Sequence, residues 1–284
     1  MSKHQSKHSL KLLISISLSI CFFILFFLNL TPLIWGFLTS IKAQNEIFTF
    51  PPKIFDFTPT FANYSRIIQE GFIQSFLNSI FFSISSVLLI LILGLLAGYG
   101  FDRFSFKFKN AMFFLVLLCV PLSKGGAALI LPDYIFMSKM GLTNHWYTLI
   151  ILYTAYHLPI SVWIIKAGIE SVPREIDEAA KVDGCSLPYF LFRMMPMFCK
   201  PALSAAAIFS FLAAWNEFIL SSIMINSAEL RPVQLTIYKY LGFFGQEWGP
   251  LTASSIFAVF PILILFSVLS KTLISGLGQG ATKG

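Results

Sequence analysis

Four stretches of this chain, residues 12–41, 71–101, 140–165 and 248–270, contain no Asp, Glu, Lys or Arg. Each is long enough to cross a bilayer, since about 20 residues of helix span roughly 30 Å of hydrocarbon. No water is available there to pair backbone N–H and C=O groups, so only helices or closed barrels survive. The runs lack the two-residue alternation of barrel strands, which leaves helices. Two weaker spans, 110–131 and 201–224, are interrupted by Lys124 and Glu217. The expectation is an all-α, polytopic membrane protein with six transmembrane helices. Composition agrees, because 56% apolar and 12% charged residues with a mean hydropathy of +0.78 lie far from soluble domains at roughly 25% charged.

Six spans put both termini on one side. With the amino terminus cytoplasmic, thirteen of the twenty Lys and Arg fall in inner segments and seven in outer ones. That bias supports a multi-pass membrane protein with both ends cytoplasmic, and it accounts for the net charge of +7 without nucleic acid. The basic opening "MSKHQSKHSLKLL" leads into an apolar run too long for a signal peptide, with no small-residue cleavage site, and reads as an uncleaved first span. The organisation expected is a tail at 1–11, a six-helix membrane domain at 12–275 and a second tail at 276–284. Cys21, Cys119, Cys185 and Cys199 show no metal spacing, and the four histidines form no ligand pattern, so no metal is expected.

Several segments carry finer expectations. Residues 41–71 are rich in proline and aromatics, which opposes regular helix and suggests an extended outer loop, either a connector or a docking surface. Gly94 and Gly98 make a small-xxx-small face for close helix approach. Phe101, Phe104, Phe106 and Phe108 with Arg103, Lys107 and Lys109 read as an interfacial belt with snorkelling cations. Pro121, Gly125, Gly126 and Pro132 should break the third span. Lys124 and Asp133 then line a polar pathway, unless the span simply stops near Pro121. In the fifth span, Glu217 lies sixteen positions past Pro201, about 24 Å of helix rise, in the outer half of the membrane. A carboxylate facing lipid there costs on the order of 2–3 kcal/mol, so it should face a cavity or a partner, unless it simply reaches the outer interface, with Trp215 and Asn216 extending a polar or stacking surface for a sugar.

Residues 169–200 form the longest inner loop and the most soluble-looking part of the chain. Pro173 can start a helix, and Glu175, Asp177 and Glu178 suit its positive end. Asp183-Gly184 is a turn pair, and Ser186 with Pro188 reads as the start of a second helix. Ala179 and Ala180 would let the first helix enter a narrow socket on another protein.

"EAAKVDG" followed by nine residues and Met194 resembles the EAA loop of the membrane subunits of binding-protein-dependent ABC importers. "EIFTFPPKIFDFTPTFANY", "AGYGFDRFSFKFKN", "VPREIDEAAKVDG", "AAWNEFIL" and "GLGQGATKG" are similar, in order, to segments of the maltose-type (MalG-like) carbohydrate permeases. One departure is that the loop's terminal proline comes one position early, as Pro196 before Met197. The resemblance implies a type I importer permease fold and half of a sugar translocation pathway. It also implies a heterodimer with a second permease, a dimer of ATP-binding subunits and an extracytoplasmic solute-binding protein. By that similarity Glu178, Ala179, Ala180, Asp183 and Gly184 carry a coupling helix that docks in the ATPase, and the carboxyl tail reaches toward the ATPase dimer.

No GxxxxGK[ST] loop occurs, so this chain is not expected to be the motor; the resemblance implies that partner subunits use ATP and that this chain is not an enzyme. The rivals are a secondary transporter, which needs a relay of intramembrane ionisable groups, and an importer for another solute such as a phosphate ester or polyol.

Overall fold

The computed structural model of the chain describes the backbone of residues 2–124, 127–242 and 245–281, and the side chains of 14–121, 129–242 and 246–272. Helix dominates. In chain order the helices are α1 (Ser2–Ser40), α2 (Gln44–Ile47), α3 (Ala62–Gln69), α4 (Phe72–Arg103), α5 (Lys109–Lys124), α6 (Ala127–Lys139), α7 (Trp146–Glu170) and α8 (Arg174–Val182). Then come α9 (Leu187–Tyr189), a π-helical turn (Phe190–Met194), α10 (Met195–Phe198), α11 (Lys200–Trp215), α12 (Ile219–Met224), α13 (Val233–Tyr238) and α14 (Trp248–Ala281). Two-residue strands β1 (Leu241–Gly242) and β2 (Gly245–Gln246) pair antiparallel.

Among the described residues four helical stretches are long and apolar enough to cross a membrane: Ile14–Ser40, Phe72–Arg103, Trp146–Glu170 and Trp248–Thr272. A fifth span exists if Leu187–Phe198 and Lys200–Trp215, bent by 87°, count as one. The third expected span is instead two shorter helices, α5 and α6, on either side of residues 125–126, which lie outside the described residues. Pro121 and Pro132 sit inside these helices rather than ending them.

The chain divides into two compact units, Met1–Glu70 with Tyr240–Phe257, and Gly71–Lys239 with Ala258–Gly284. In the first, residues 41–71 are less extended than their prolines suggest, because α3 forms once the last of them, Pro59, is passed. Asn63, buried, donates to the carbonyls of Ser40 (2.9 Å) and Lys42 (2.8 Å), tying α3 to the end of α1. A Cβ at Gly249 would lie 2.4 Å from Asn63 Oδ1, so the first turn of α14 needs a glycine there. Arg66 is shared by Glu70 and Glu247, and the bond to Glu70 above all holds its guanidinium further over its usual range.

The second unit is built on α4, α7 and α11, which pack against one another. Gly94 and Gly98 do form the expected close face: a Cβ would lie 2.8 Å from Ile165 Cδ1 at the first and 3.1 Å from the Lys166 amide nitrogen at the second. Gly168 serves the same purpose between α7 and α11, where a Cβ would meet that of Ala202 at 2.2 Å. Small residues let backbones approach where lipid offers no hydrophobic drive. On α4 the buried Ser75, Ser79, Ser83 and Ser86 continue this slim face. Ser79 accepts the Val233 amide (2.8 Å) and Ser75 the Thr236 hydroxyl (2.7 Å), which seats α13.

Candidate functional site: the α8 rod and the Glu217 junction

The loop after α7 folds as its residues suggest. Pro173, extended at φ −56° and ψ 140°, is the cap before α8, and Glu175 and Asp177 lie in the first turn. At the other end Gly184 has φ +72°, a conformation that suits glycine. Its amide bonds to the Lys181 carbonyl (3.1 Å) and that of Cys185 to Ala180 (2.9 Å), the paired bonds of a Schellman cap. Nothing lies within 4 Å of a Cβ placed at Gly184, so backbone conformation alone selects glycine there. Ser186 makes no side-chain cap, contrary to expectation; its carbonyl accepts the Phe190 amide at 3.0 Å.

The two faces of α8 differ in kind. Glu175, Glu178, Ala179 and Val182, spaced i, i+3, i+4, i+7, are exposed, as are Asp183 and Gly184. Val182 is 87% exposed. The opposite face buries Asp177 and Ala180. Ala180 joins an apolar cluster with Leu95, Tyr99, Ile165, Ile169, Phe190 and Met195. The two alanines therefore separate: Ala179 faces out, whereas Ala180 packs into this chain and enters no external socket.

Asp177 carries the polar half of the buried face. Tyr99 donates to its Oδ1 at 2.9 Å, and Arg103 Nη2 lies 3.1 Å from Oδ2. Arg103 also donates to Asp102 (2.7 Å) and to the Val172 carbonyl (2.7 Å). Arg174 and Lys109 both reach the Asp102 carbonyl, at 3.2 and 3.1 Å. Cations gathered at the last carbonyls of α4 complement its dipole. Arg103 is thus not a snorkelling belt residue; its side chain is 7% exposed and paired. Sequence reasoning missed this cluster, although the Asp102-Arg103 pair at the end of an uncharged run is a visible signal.

After α8, the π turn ends where the Met195 amide reaches back five residues to the Phe190 carbonyl. Pro196, which lacks an amide hydrogen, occupies the first turn of α10, so its early position is absorbed by the wider turn before it. The chain then bends at Cys199 into α11.

The fifth span departs from expectation at Glu217, for α11 stops at Trp215 and α12 starts at Ile219. The carboxylate lies in the break. Its Oε1 accepts the Leu220 amide (2.7 Å), and Oε2 accepts the Ser221 amide (3.1 Å) and the Tyr153 hydroxyl (3.3 Å). Glu217 thereby satisfies the free amides that open α12 and fastens the junction to α7. Beside it on α7, Tyr156 donates to Asp133 of α6. Trp215 offers no stacking face within this chain: it is 1% exposed, lies 5.6 Å from Phe211 in a stacked pair, and donates to the Ala258 carbonyl at 3.2 Å. Asn216 is exposed, its amide donating to the Leu212 carbonyl at 2.8 Å. The Lys124 side chain lies outside the described residues, as do residues 282–284; residues 276–281 continue α14 as helix backbone.

Residues 75–278 match the family described as "Binding-protein-dependent transport system inner membrane component". The chain belongs to this family. It is therefore a membrane protein and a transporter component, and the secondary-transporter rival falls away. Among curated relatives, the sulfoquinovosyl glycerol transport system permease protein SmoH of Agrobacterium fabrum is 31% identical over 90% of this chain and 89% of its own. The trehalose/maltose transport system permease protein MalG of Thermococcus litoralis is 29% identical over 90% and 92%. Among solved structures, a chain of a bacterial ABC transporter involved in import of the polysaccharide alginate matches with a TM-score of 0.77 at 18% identity, over 91% of this chain and 96% of that one. The family and the fold are those of importer permeases.

Proposed function

We propose that this chain is the permease subunit of an ATP-driven carbohydrate uptake system, one of two such subunits that together enclose the route, with both termini cytoplasmic. Six spans follow if α5 and α6 together make one and α9 through α12 another. The observation that carries the reading is α8: a nine-residue helix anchored on one face and bare on the other. A helix so held can be pushed as a rigid body by a neighbour that grips Glu178, Ala179 and Val182, and it can carry that motion into the membrane helices.

On this reading ATP is bound and hydrolysed by separate subunits that dock on α8, and the solute arrives from an extracytoplasmic binding protein. The relatives' cargoes support a sugar or sugar derivative. Asn216 and Glu217, at the break between α11 and α12, are the route residues favoured; Trp215 is enclosed and supports the break from behind. Asp133 and Lys124 remain proposed route residues on the third span.

The test is to purify the chain with its co-encoded subunits in lipid nanodiscs and measure ATP hydrolysis with the binding protein across a panel of oligosaccharides. A sugar-dependent rise supports the reading. Co-purification without any ATPase, or no response to any sugar while another solute class stimulates, overturns it. In the same system Val182→Cys should crosslink to the ATP-binding subunit.

A further inference from the structure

A force on α8 has two covalent exits, back through Ser171–Pro173 into α7 and forward through Gly184 into α9, and neither leads along the chain into α4, which α7 reaches only by packing against it. Yet α4 is the 32-residue helix around which the second unit packs. What joins it to α8 is side chains. The Leu95 and Tyr99 contacts with Ala180 and Phe190 are apolar and fix no single register. The polar contacts do: Tyr99 donates to Asp177, Arg174 of α8 donates to the Asp102 carbonyl, and the Arg103 guanidinium bonds Asp102 on its own helix and the Val172 carbonyl in the loop while pairing its charge with Asp177 on α8 at 3.1 Å. Only 7% of Arg103 and 8% of Asp177 is exposed, so water cannot substitute for either partner as they part.

We propose that Arg103 is a positioning residue that makes α4 a second output arm of the coupling helix, clamping α8 and α4 into one moving body. This rests on the reading of α8 as the ATPase dock. Arg103 touches neither solute nor nucleotide; it acts by stopping α8 from sliding along the bundle when driven. The Tyr99 hydroxyl holds the second oxygen of Asp177 and keeps the carboxylate aimed at the fork.

The test compares wild type, Arg103→Lys and Arg103→Gln in the complete complex in lipid vesicles, with whichever sugar stimulates its ATPase. The readout is ATP hydrolysed per sugar imported, referred to the amount of assembled complex. Arg103→Gln should raise that ratio by about tenfold, a coupling loss of the size typical between linked sites, with Arg103→Lys in between. An anchor with only a folding role would lower the amount of complex and leave the ratio unchanged in what remains, and that result overturns the proposal.

If Arg103→Gln yields no complex, wild type decides. Spin labels at exposed Phe106, beyond the end of α4, and at Lys181, off the exposed stripe of α8, should keep one separation with and without ATP and vanadate. A change of a helical turn, about 5 Å, overturns the single-body proposal. Failure of the underlying reading looks different: Val182→Cys in the otherwise wild-type complex then finds no ATPase to crosslink, and the proposal falls with it.

Discussion

Two acidic residues in this chain do opposite things. Asp177, in the most soluble-looking loop, is turned inward onto α4 and leaves the Glu175, Glu178, Ala179 and Val182 face of its helix exposed. Glu217, in one of the most apolar segments, spends its oxygens on the Leu220 and Ser221 amides of its own chain. The first joins two elements so that one can move the other. The second repairs a helix break, with the exposed Asn216 beside it at the proposed route. A charge near the membrane is thus no sign of transport chemistry until its partners are known.

The sharpest way to break the contrast is Asp177→Ala. It removes the carboxylate from the buried Arg103 and the acceptor from Tyr99, for which about 3 kcal/mol is expected, the low end for a broken buried pair because Asp102 still faces the cation. The measurable outcome is loss of assembled complex and faster proteolysis of the 169–200 loop. Asp177→Asn, which can still accept from Tyr99, should lose less. If the alanine variant assembles and transports normally, Asp177 is no anchor.

Glu217→Ala should come second. Removing the acceptor of two amides and one hydroxyl leaves buried donors unpaired, at about 1–3 kcal/mol, and should lower the melting temperature in detergent as well as uptake. Glu217→Gln keeps one oxygen and should recover part of the stability. A variant that melts like wild type but fails to import would reverse the comparison and make Glu217 a solute contact first.

How far these roles were legible from sequence differs between them. The apolar runs located their helices closely: residues 71–101 became Phe72–Arg103, and the run from 248 became α14, which opens at Trp248, because backbone satisfaction in lipid leaves few alternatives. Gly184 was legible because a left-handed turn selects glycine locally. The Tyr99 to Asp177 bond was not, since its partners lie 78 positions apart and nothing local shows where either side chain points. The break at Asn216 was hidden for another reason. No proline or glycine marks it, and an acid at an apolar helix end reads equally as a lining residue or as a cap for the next helix. The serines at 75, 79, 83 and 86 carried a helical period that could have named the face receiving α13.

Gly184→Ala is expected to be milder. No atom blocks the added methyl, so only the left-handed backbone strain counts, roughly 1 kcal/mol. Gly184→Val should exceed it, because a branched side chain tolerates positive φ least. The direction of the chain leaving α8 then changes, and ATP hydrolysis should persist while uptake falls. Wild-type uptake by Gly184→Val would show that the Schellman turn transmits nothing.

Val182→Asp should do the least to the chain itself and, for that reason, tests the comparison most cleanly. Val182 makes no use of its apolar surface within this chain, being 87% exposed, so stability should stay within about 0.5 kcal/mol of wild type. An apolar branched residue beside Glu178 and Ala179 is what a partner covering this face would bury. Adding a third acid to the stripe of Glu175 and Glu178 should therefore weaken binding of the ATP-binding subunit, read as its loss on dilution of the purified complex, while the melting temperature of the permease in detergent is unchanged. Equal loss of both would mean that the outer face of α8 matters to the fold, and the division between an anchored face and a docking face would have to be given up.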